Sequence, residues 1–303
     1  MYVSSVSSIE SLLFEVNKKV VSYNQNKKVE VEVKKAKVEV KKADTYGPWT
    51  PTSVLCDENN KKILGIDSSW VIKVKSNKCI EELTDILSFI RCPVRNMVEV
   101  PREPYQQFGI TADSVWFAMK RYDGHLTRAH AHMWKTVATS CIAFLRDLHC
   151  LHRKVYMDFR MENILVSGNT VVVADYELVT DVSSKKTCDY PVDTRWYFMA
   201  RGAEPNKRLY SWRQDLVSLG YILLLLTTKP EDTPFYMDFL MRRLGVRKNH
   251  HSTRSLVRKR NRCVAALANP ILTAYFEKIK EVSWNDWLSP YSSFYKELSA
   301  LFD

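Results

Sequence analysis

Along this chain the apolar residues change rhythm once. Between residues 46 and 122 they mostly alternate or cluster in short runs, whereas beyond 126 they recur mainly at i, i+3 and i+4. A period of two places successive side chains on opposite faces of a strand, and a period near 3.6 lines one face of a helix. TSVLCD (52–57), SSWVIKVK (68–75) and SVWFAMKRY (114–122) are accordingly predicted as strands. ENNKKILGID (58–67) separates the first two and carries turn chemistry. CIEELTDILSFIRC (79–92) is predicted as an amphipathic helix, and DGHL (123–126) as a turn. HMWKTVATSCIAFLRDLHCLH (132–152) reads as a long helix, VVVADYELV (171–179) as a short strand, and RQDLVSLGYILLLLTT (213–228) as a buried helix. Two more helices are expected around Ala265–Val282 and Ser292–Phe302. The pattern predicts an α+β chain, strand-rich first and largely helical afterwards, with the change near Tyr122–Leu126.

The first 45 residues have a character of their own. Ser7–Val21 places Ile9, Leu12, Leu13, Val16 and Val20 at helical spacing, and VEVKKA then occurs twice, at 31–36 and 38–43. Valine alternating with charge favours a strand-like segment. It reads either as a solvated Lys-rich edge hairpin or as an arm for nucleic acid or lipid.

Charge sharpens this picture. Hydrophobic residues make up 46% of the chain and the formal net charge is +11, so a sizeable core and acidic partners are both expected. The segment 241–262, MRRLGVRKNHHSTRSLVRKRNR, holds nine Arg or Lys and no acid. It is either a solvated face or a surface for polyanions, acidic or phosphate-primed substrates, or an import receptor; His250 and His251 belong to it rather than to a metal site. The seven cysteines include no C-x-x-C pair, and Cys150 and His152 lack further ligands at zinc-site spacing. Reduced, intracellular thiols are the expectation. The N-terminus has Glu10 and no basic run, which makes a poor signal peptide. Ile222–Leu226 is the most strongly apolar run, and it is too short to cross a bilayer, which takes about 20 residues.

The candidate chemistry lies in VYMDFRMENILV (155–166). Phosphoryl transfer from ATP asks for a base to orient a hydroxyl, oxygen ligands for magnesium and a cation on the phosphates. Asp158 fits the base, Asn163 a metal ligand, and Arg160 a charge on the transferring group. Twelve residues after Asn163, Asp175 ends an apolar strand and fits a second metal ligand.

These residues, in this order, resemble the protein-kinase signature set. Asp158 and Asn163 match the catalytic loop, Asp175-Tyr176-Glu177 matches D-F-G, and WVIK makes Lys73 the phosphate lysine. Its partner would be Glu82, with Glu81 as the alternative. GPWTPTSV (47–54) falls on the glycine-rich loop, with Gly47 as its first glycine and Val54 as the valine packed on adenine. VWFAMKRYDGHL is similar to the hinge of the casein kinase 1 and vaccinia-related kinase branch, with Met119 as gatekeeper and Lys120, Arg121 and Tyr122 along the adenine edge. YSWRQDLVSLGYILLLLT resembles that branch's R-R-D-D-L-E-S-L-G-Y helix, in which Asp215 supports the catalytic loop, and LSPY (288–291) stands where the branch has a KPDY-like turn. The resemblance implies a bilobal kinase-like fold: residues 1–45 as an N-terminal extension, 46–122 as a strand-rich N-lobe and 123–303 as a mainly helical C-lobe. It further implies a Ser/Thr kinase using ATP and Mg2+ on acidic or primed protein substrates. The degree of divergence is in keeping with a viral relative, acting in host cytoplasm or nucleus.

The departures keep a second class open. Trp49 and Thr52 replace two loop glycines, and Pro48 and Pro51 remove two amides. Tyr156-Met157 replaces His-Arg of H-R-D, so a phosphorylated activation loop lacks its docking cation. Glu177 replaces the D-F-G glycine, and Met199-Ala200-Arg201 stands at A-P-E. Such changes also mark pseudokinases. The alternative is a scaffold that binds a protein or nucleic acid through 18–42 and 242–262.

Overall fold

The computed structural model describes residues 46–58, 61–76, 94–99, 108–110, 114–176, 178–181, 212–229, 262–264, 268–282 and 292–303. The expected helices at 7–21 and 79–92, both VEVKKA copies, the basic segment up to residue 261, Glu81, Glu82, Glu177, residues 199–201 and the LSPY turn lie outside them.

Five strands form an antiparallel sheet: β1 (Ser53–Glu58), β2 (Lys61–Gly65), β3 (Trp70–Ser76), β4 (Phe108–Ile110) and β5 (Ser114–Lys120). Their order across the sheet is β1-β2-β3-β5-β4. β1, β3 and β5 lie within or beside the predicted strands, but β2 falls inside the stretch read as turn chemistry. Ile63 and Leu64 are flanked by lysines, glycine and an Asn pair, which hides a short strand between two tight connections. β4 is too short to carry a periodic signal.

The two faces of this sheet have different roles. Val71, Lys73 and Lys75 of β3 stand opposite Met119, Phe117 and Val115 of β5, whereas Ile72 and Val74 stand opposite Ala118 and Trp116. Because successive side chains alternate, the first set shares one face and the second the other. Val71, Val115, Phe117 and Met119 join the main core of the molecule. On the opposite face Tyr46, Leu64, Ile72, Val74 and Trp116 form a separate small cluster.

Past the sheet the chain turns helical. A 3-10 segment (Arg128–Met133) leads into α1 (Trp134–Arg146), which continues as a π-helical turn (Asp147–Leu151). α2 (Trp212–Thr227) is a buried helix whose first turn carries Gln214 and Asp215 and whose remainder is almost entirely apolar. α3 (Pro270–Ile279) starts at an Asn269 cap that accepts from the Ile271 and Leu272 amides at 3.1 and 3.2 Å, with Pro270 at its first position. α4 (Ser292–Ala300) presents Tyr295 and Leu298 to the core. α3 and α4 lie within the two C-terminal regions predicted as helical.

Short strands flank α1: β6 (Gly124–His125) precedes it, and β7 (Lys154–Val155), β8 (Ile164–Ser167), β9 (Thr170–Val173) and β10 (Thr180–Asp181) lie between α1 and α2. β6 occupies the predicted DGHL turn and pairs with β8. β8 and β9 form a hairpin, closed by Gly168 at φ 54°. Ile164 is paired with Val173 there, so Asn163 and Ala174 emerge side by side at the open end. The molecule is thus an α+β chain with an antiparallel sheet first and helices later. Among the described residues, no helix is long and apolar enough to cross a membrane.

Candidate active site

Residues far apart in sequence meet where the inner sheet face adjoins the β8–β9 hairpin. Lys73, buried on β3, places its Nζ 2.8 Å from Oδ1 of Asp175. Lys75, two residues on and therefore on the same face, has its Nζ 3.6 Å from the same oxygen. The Lys73 ammonium also lies 5.7 Å from the centre of the Phe117 ring opposite it.

Asp158 and Asn163 form the second half of the site. Both are buried. Asn163 donates from Nδ2 to the Asp158 carboxylate at 2.8 Å and to the Asp158 carbonyl at 3.1 Å. These bonds use the amide nitrogen and leave Asn163 Oδ1 without a hydrogen-bond partner among the described residues. Arg160 lies with Nε 3.6 Å from Asp158 Oδ2. The Ala174 amide donates to the Asn163 carbonyl at 2.9 Å, which sets Asp175 next to the Asp158–Asn163 pair.

The loop carrying Asp158 is held from beneath. Met157 and Asp175 both adopt left-handed backbone, each at φ 66°. That conformation strains a non-glycine residue and persists only where its surroundings enforce it. At Met157 the enforcing group is Asp215 on α2, which is fully buried. Its carboxylate accepts from the Tyr156 amide at 2.6 Å, the Met157 amide at 2.8 Å and His149 Nε2 at 2.9 Å. His149 in turn contacts the Tyr295 hydroxyl through Nδ1, so α1, α2 and α4 converge on the loop.

Two tyrosines fasten the Asp175 side. The Tyr156 hydroxyl donates to the Ala174 carbonyl. Burial, followed by the nearby Asp158 and Asp175 charges, pushes the Tyr156 pKa well up, so this residue stays a neutral donor. Tyr176 donates to the Val173 carbonyl at 2.5 Å and accepts from the Val98 amide at 2.9 Å. Burial likewise raises its pKa.

The expected hinge residues run along one edge. Met119 is buried on the inner face. Lys120 donates its amide to Glu99 O at 2.8 Å and pairs its Nζ with the Glu99 carboxylate at 3.0 Å. The Arg121 amide donates to Ser69 O at 2.7 Å, and its guanidinium donates to Asp67 O at 3.2 Å. The half-buried Tyr122 hydroxyl accepts weakly from the Glu99 amide, at 3.4 Å. Lys120 and Arg121 amides are therefore committed, while the Tyr122 amide has no partner among the described residues.

The segment expected to cover the phosphates lies elsewhere. Gly47, at φ 60°, and Pro48 form a tight turn closed by the Trp49 amide on Tyr46 O at 3.1 Å. Tyr46 packs edge-on against Trp116 at 6.1 Å, and Trp49 lies against Trp70 at 6.4 Å. These contacts draw the turn onto the sheet face opposite Lys73. Val54 stands opposite Leu64, in the row of Ile72 on that same outer face, and is 58% exposed. Gly47 and Val54 thus lie on or beside the outer face, where aromatic burial holds the turn.

Lys75, Tyr176, His149 and Tyr295 were not singled out from sequence. For Lys75 the signal was present in WVIKVK, since residues two apart share a strand face. His149 and Tyr295 act only through tertiary packing and carry no such signal.

Magnesium fits the donor set. Asp175 and the Asn163 Oδ1 are oxygen donors that could hold it, since magnesium in phosphoryl-transfer sites takes one or two carboxylates, waters and phosphate oxygens. No cluster of three or more His, Cys, Asp or Glu suited to a protein-only metal cage occurs among the described residues. Compared with known proteins, the chain matches no family model and no curated protein.

Proposed function

We propose that the protein is a serine/threonine protein kinase, transferring the γ-phosphate of Mg-ATP to protein hydroxyls on a bilobal kinase-like fold. The observation that carries this reading is the contact between Lys73 and Asp175, 102 residues apart, beside the hydrogen-bonded Asp158–Asn163 pair. Asp158 orients the substrate hydroxyl and receives its proton as the oxygen forms a bond to the γ-phosphorus. The bond between that phosphorus and the β–γ bridging oxygen breaks, and ADP leaves with the electron pair. Asp175 and Asn163 would hold Mg2+, which would neutralise charge on the phosphates when bound. Lys73 steadies the α- and β-phosphates, Arg160 lies beside the base, and the Tyr122 amide is the open donor along the adenine edge. The net charge of +11 and the basic segment 242–262 favour acidic or primed substrates. The singly scattered cysteines favour action in cytoplasm or nucleus.

The test is transfer of labelled γ-phosphate from Mg-ATP to casein by the wild type, Asp158→Asn and Lys73→Met. The reading expects label with the wild type and at least a hundredfold less with either variant at unchanged melting temperature. Equal background in all three would overturn it. The outer-face position of the Gly47 turn favours a second reading, a pseudokinase that binds protein or nucleic acid through basic surfaces. Steep salt dependence of polyanion binding, without transfer, would support that one.

A further inference from the structure

Asp175 stands in left-handed backbone, and its neighbours on both sides are fastened. On the N-terminal side the Ala174 amide donates to the Asn163 carbonyl at 2.9 Å, and the Tyr156 hydroxyl donates to the Ala174 carbonyl. On the C-terminal side the buried Tyr176 turns its phenol back over the end of β9. The hydroxyl donates to the Val173 carbonyl at 2.5 Å and accepts from the Val98 amide at 2.9 Å. That amide also donates to the Val173 carbonyl, at 3.1 Å, so the phenol joins a bridge between two segments already in contact. Segment 94–99 is in turn fixed to α1 and the turn that continues it. Asn96 Nδ2 donates to the Ser140 carbonyl at 2.9 Å, and the Arg95 amide donates to the Asp147 carboxylate at 3.1 Å.

A left-handed non-glycine residue relaxes unless its surroundings hold it. The Tyr176 ring belongs to the main core, with Tyr156 edge-on to it at 6.5 Å, and a phenylalanine ring would fill the same space. The hydroxyl adds a fixed link from the residue after Asp175 to a segment anchored on α1. We infer that Tyr176 is a positioning residue, whose hydroxyl holds the Asp175 backbone, and with it the carboxylate, in place at the seam. This inference rests on the nucleotide reading of the site, in which Asp175 would hold Mg2+. A carboxylate already held in position loses less freedom when it takes up a cation. Tyr176→Phe isolates the effect, because the Val98 amide keeps the Val173 carbonyl as its acceptor and no buried amide is orphaned.

The experiment measures ADP affinity by equilibrium dialysis over a range of Mg2+ concentrations for the wild type, Tyr176→Phe and Asp175→Asn. Adenosine affinity, melting curves and amide hydrogen exchange across 173–181 accompany it. Tyr176→Phe should need about three- to tenfold more Mg2+ for half-maximal ADP binding. Its adenosine affinity and melting temperature should stay close to those of the wild type, and its exchange around Asp175 should be faster. Saturating Mg2+ should restore its ADP affinity, which it would not do for a loss of packing. A wild-type Mg2+ dependence in Tyr176→Phe, beside a lost dependence in Asp175→Asn, would overturn the positioning role and leave the nucleotide reading intact. Equal losses for ADP and adenosine that Mg2+ does not restore, or a collapse of the melting temperature, would also overturn it by showing a structural part. A wild type that binds neither ADP nor adenosine, or binds ADP without regard to Mg2+, would overturn the nucleotide reading and this inference together.

Discussion

Asp215 shows how a single side chain can set the geometry of a site it does not enter. Its carboxylate takes three donors inside the core, two of them amides of the loop that carries Asp158. Asp215→Ala leaves those donors buried and unpaired, and should lower stability by about 3 kcal/mol or more, measured by denaturant unfolding. A loss below about 1 kcal/mol would contradict this account of the strained Met157 backbone. His152, at the end of the turn that carries His149, adds a pH dependence. Burial lowers its pKa ahead of the opposing pull of Asp147, and Lys154 lowers it further. The unfolded chain therefore takes up the proton first, so stability falls as the pH drops through and below about 6.5. Melting temperatures between pH 7.5 and 5.5 should show this fall, and His152→Gln should flatten part of it. At this scale the sequence singled out Lys73, Asp158, Asn163 and Asp175 by type and order, and the structure brings them to one place. It did not expose Tyr176, whose hydroxyl binds the Val98 amide and the Val173 carbonyl, since a phenol in place of a phenyl ring becomes meaningful only once those partners are known.

Among the elements, the α2–α3 contact leaves no spare room. A Cβ on Gly220 would come within 2.8 Å of the Phe276 ring and 2.9 Å of the Tyr275 ring, and Tyr275 is itself fixed by its hydroxyl on Leu216 O at 2.7 Å. Gly220→Ala should therefore cost about 1–3 kcal/mol by overpacking, although alanine has the better helix propensity. A stabilised variant in thermal unfolding would show that the helices can separate freely. The long periodic segments were the legible ones. α1 and α2 follow directly from apolar spacing over many residues, whereas β2 and β4 are short and polar at their ends. In the 47–54 segment, a glycine and a valine at a given spacing say nothing about which sheet face the turn will cover. Tyr46 and Trp49 decide that, through contacts with Trp116 and Trp70 that become visible only in three dimensions.

For the whole molecule, one core joins the inner sheet face to the helices, and the proposed site lies on the seam between them. The order of elements was readable because alternation gives way to helical spacing only once. The meeting of β3 with the β8–β9 hairpin was not, because it depends on packing across more than a hundred residues. The proposed nucleotide site at this seam can be probed through the buried Lys73. The most direct measurement is reaction with an acyl-phosphate derivative of ATP, which acylates lysines lying against its phosphates, followed by peptide mapping with and without excess Mg-ATP. The account predicts acylation of Lys73 that Mg-ATP suppresses. Labelling confined to the exposed lysines, or indifferent to Mg-ATP, would contradict a nucleotide site at this seam.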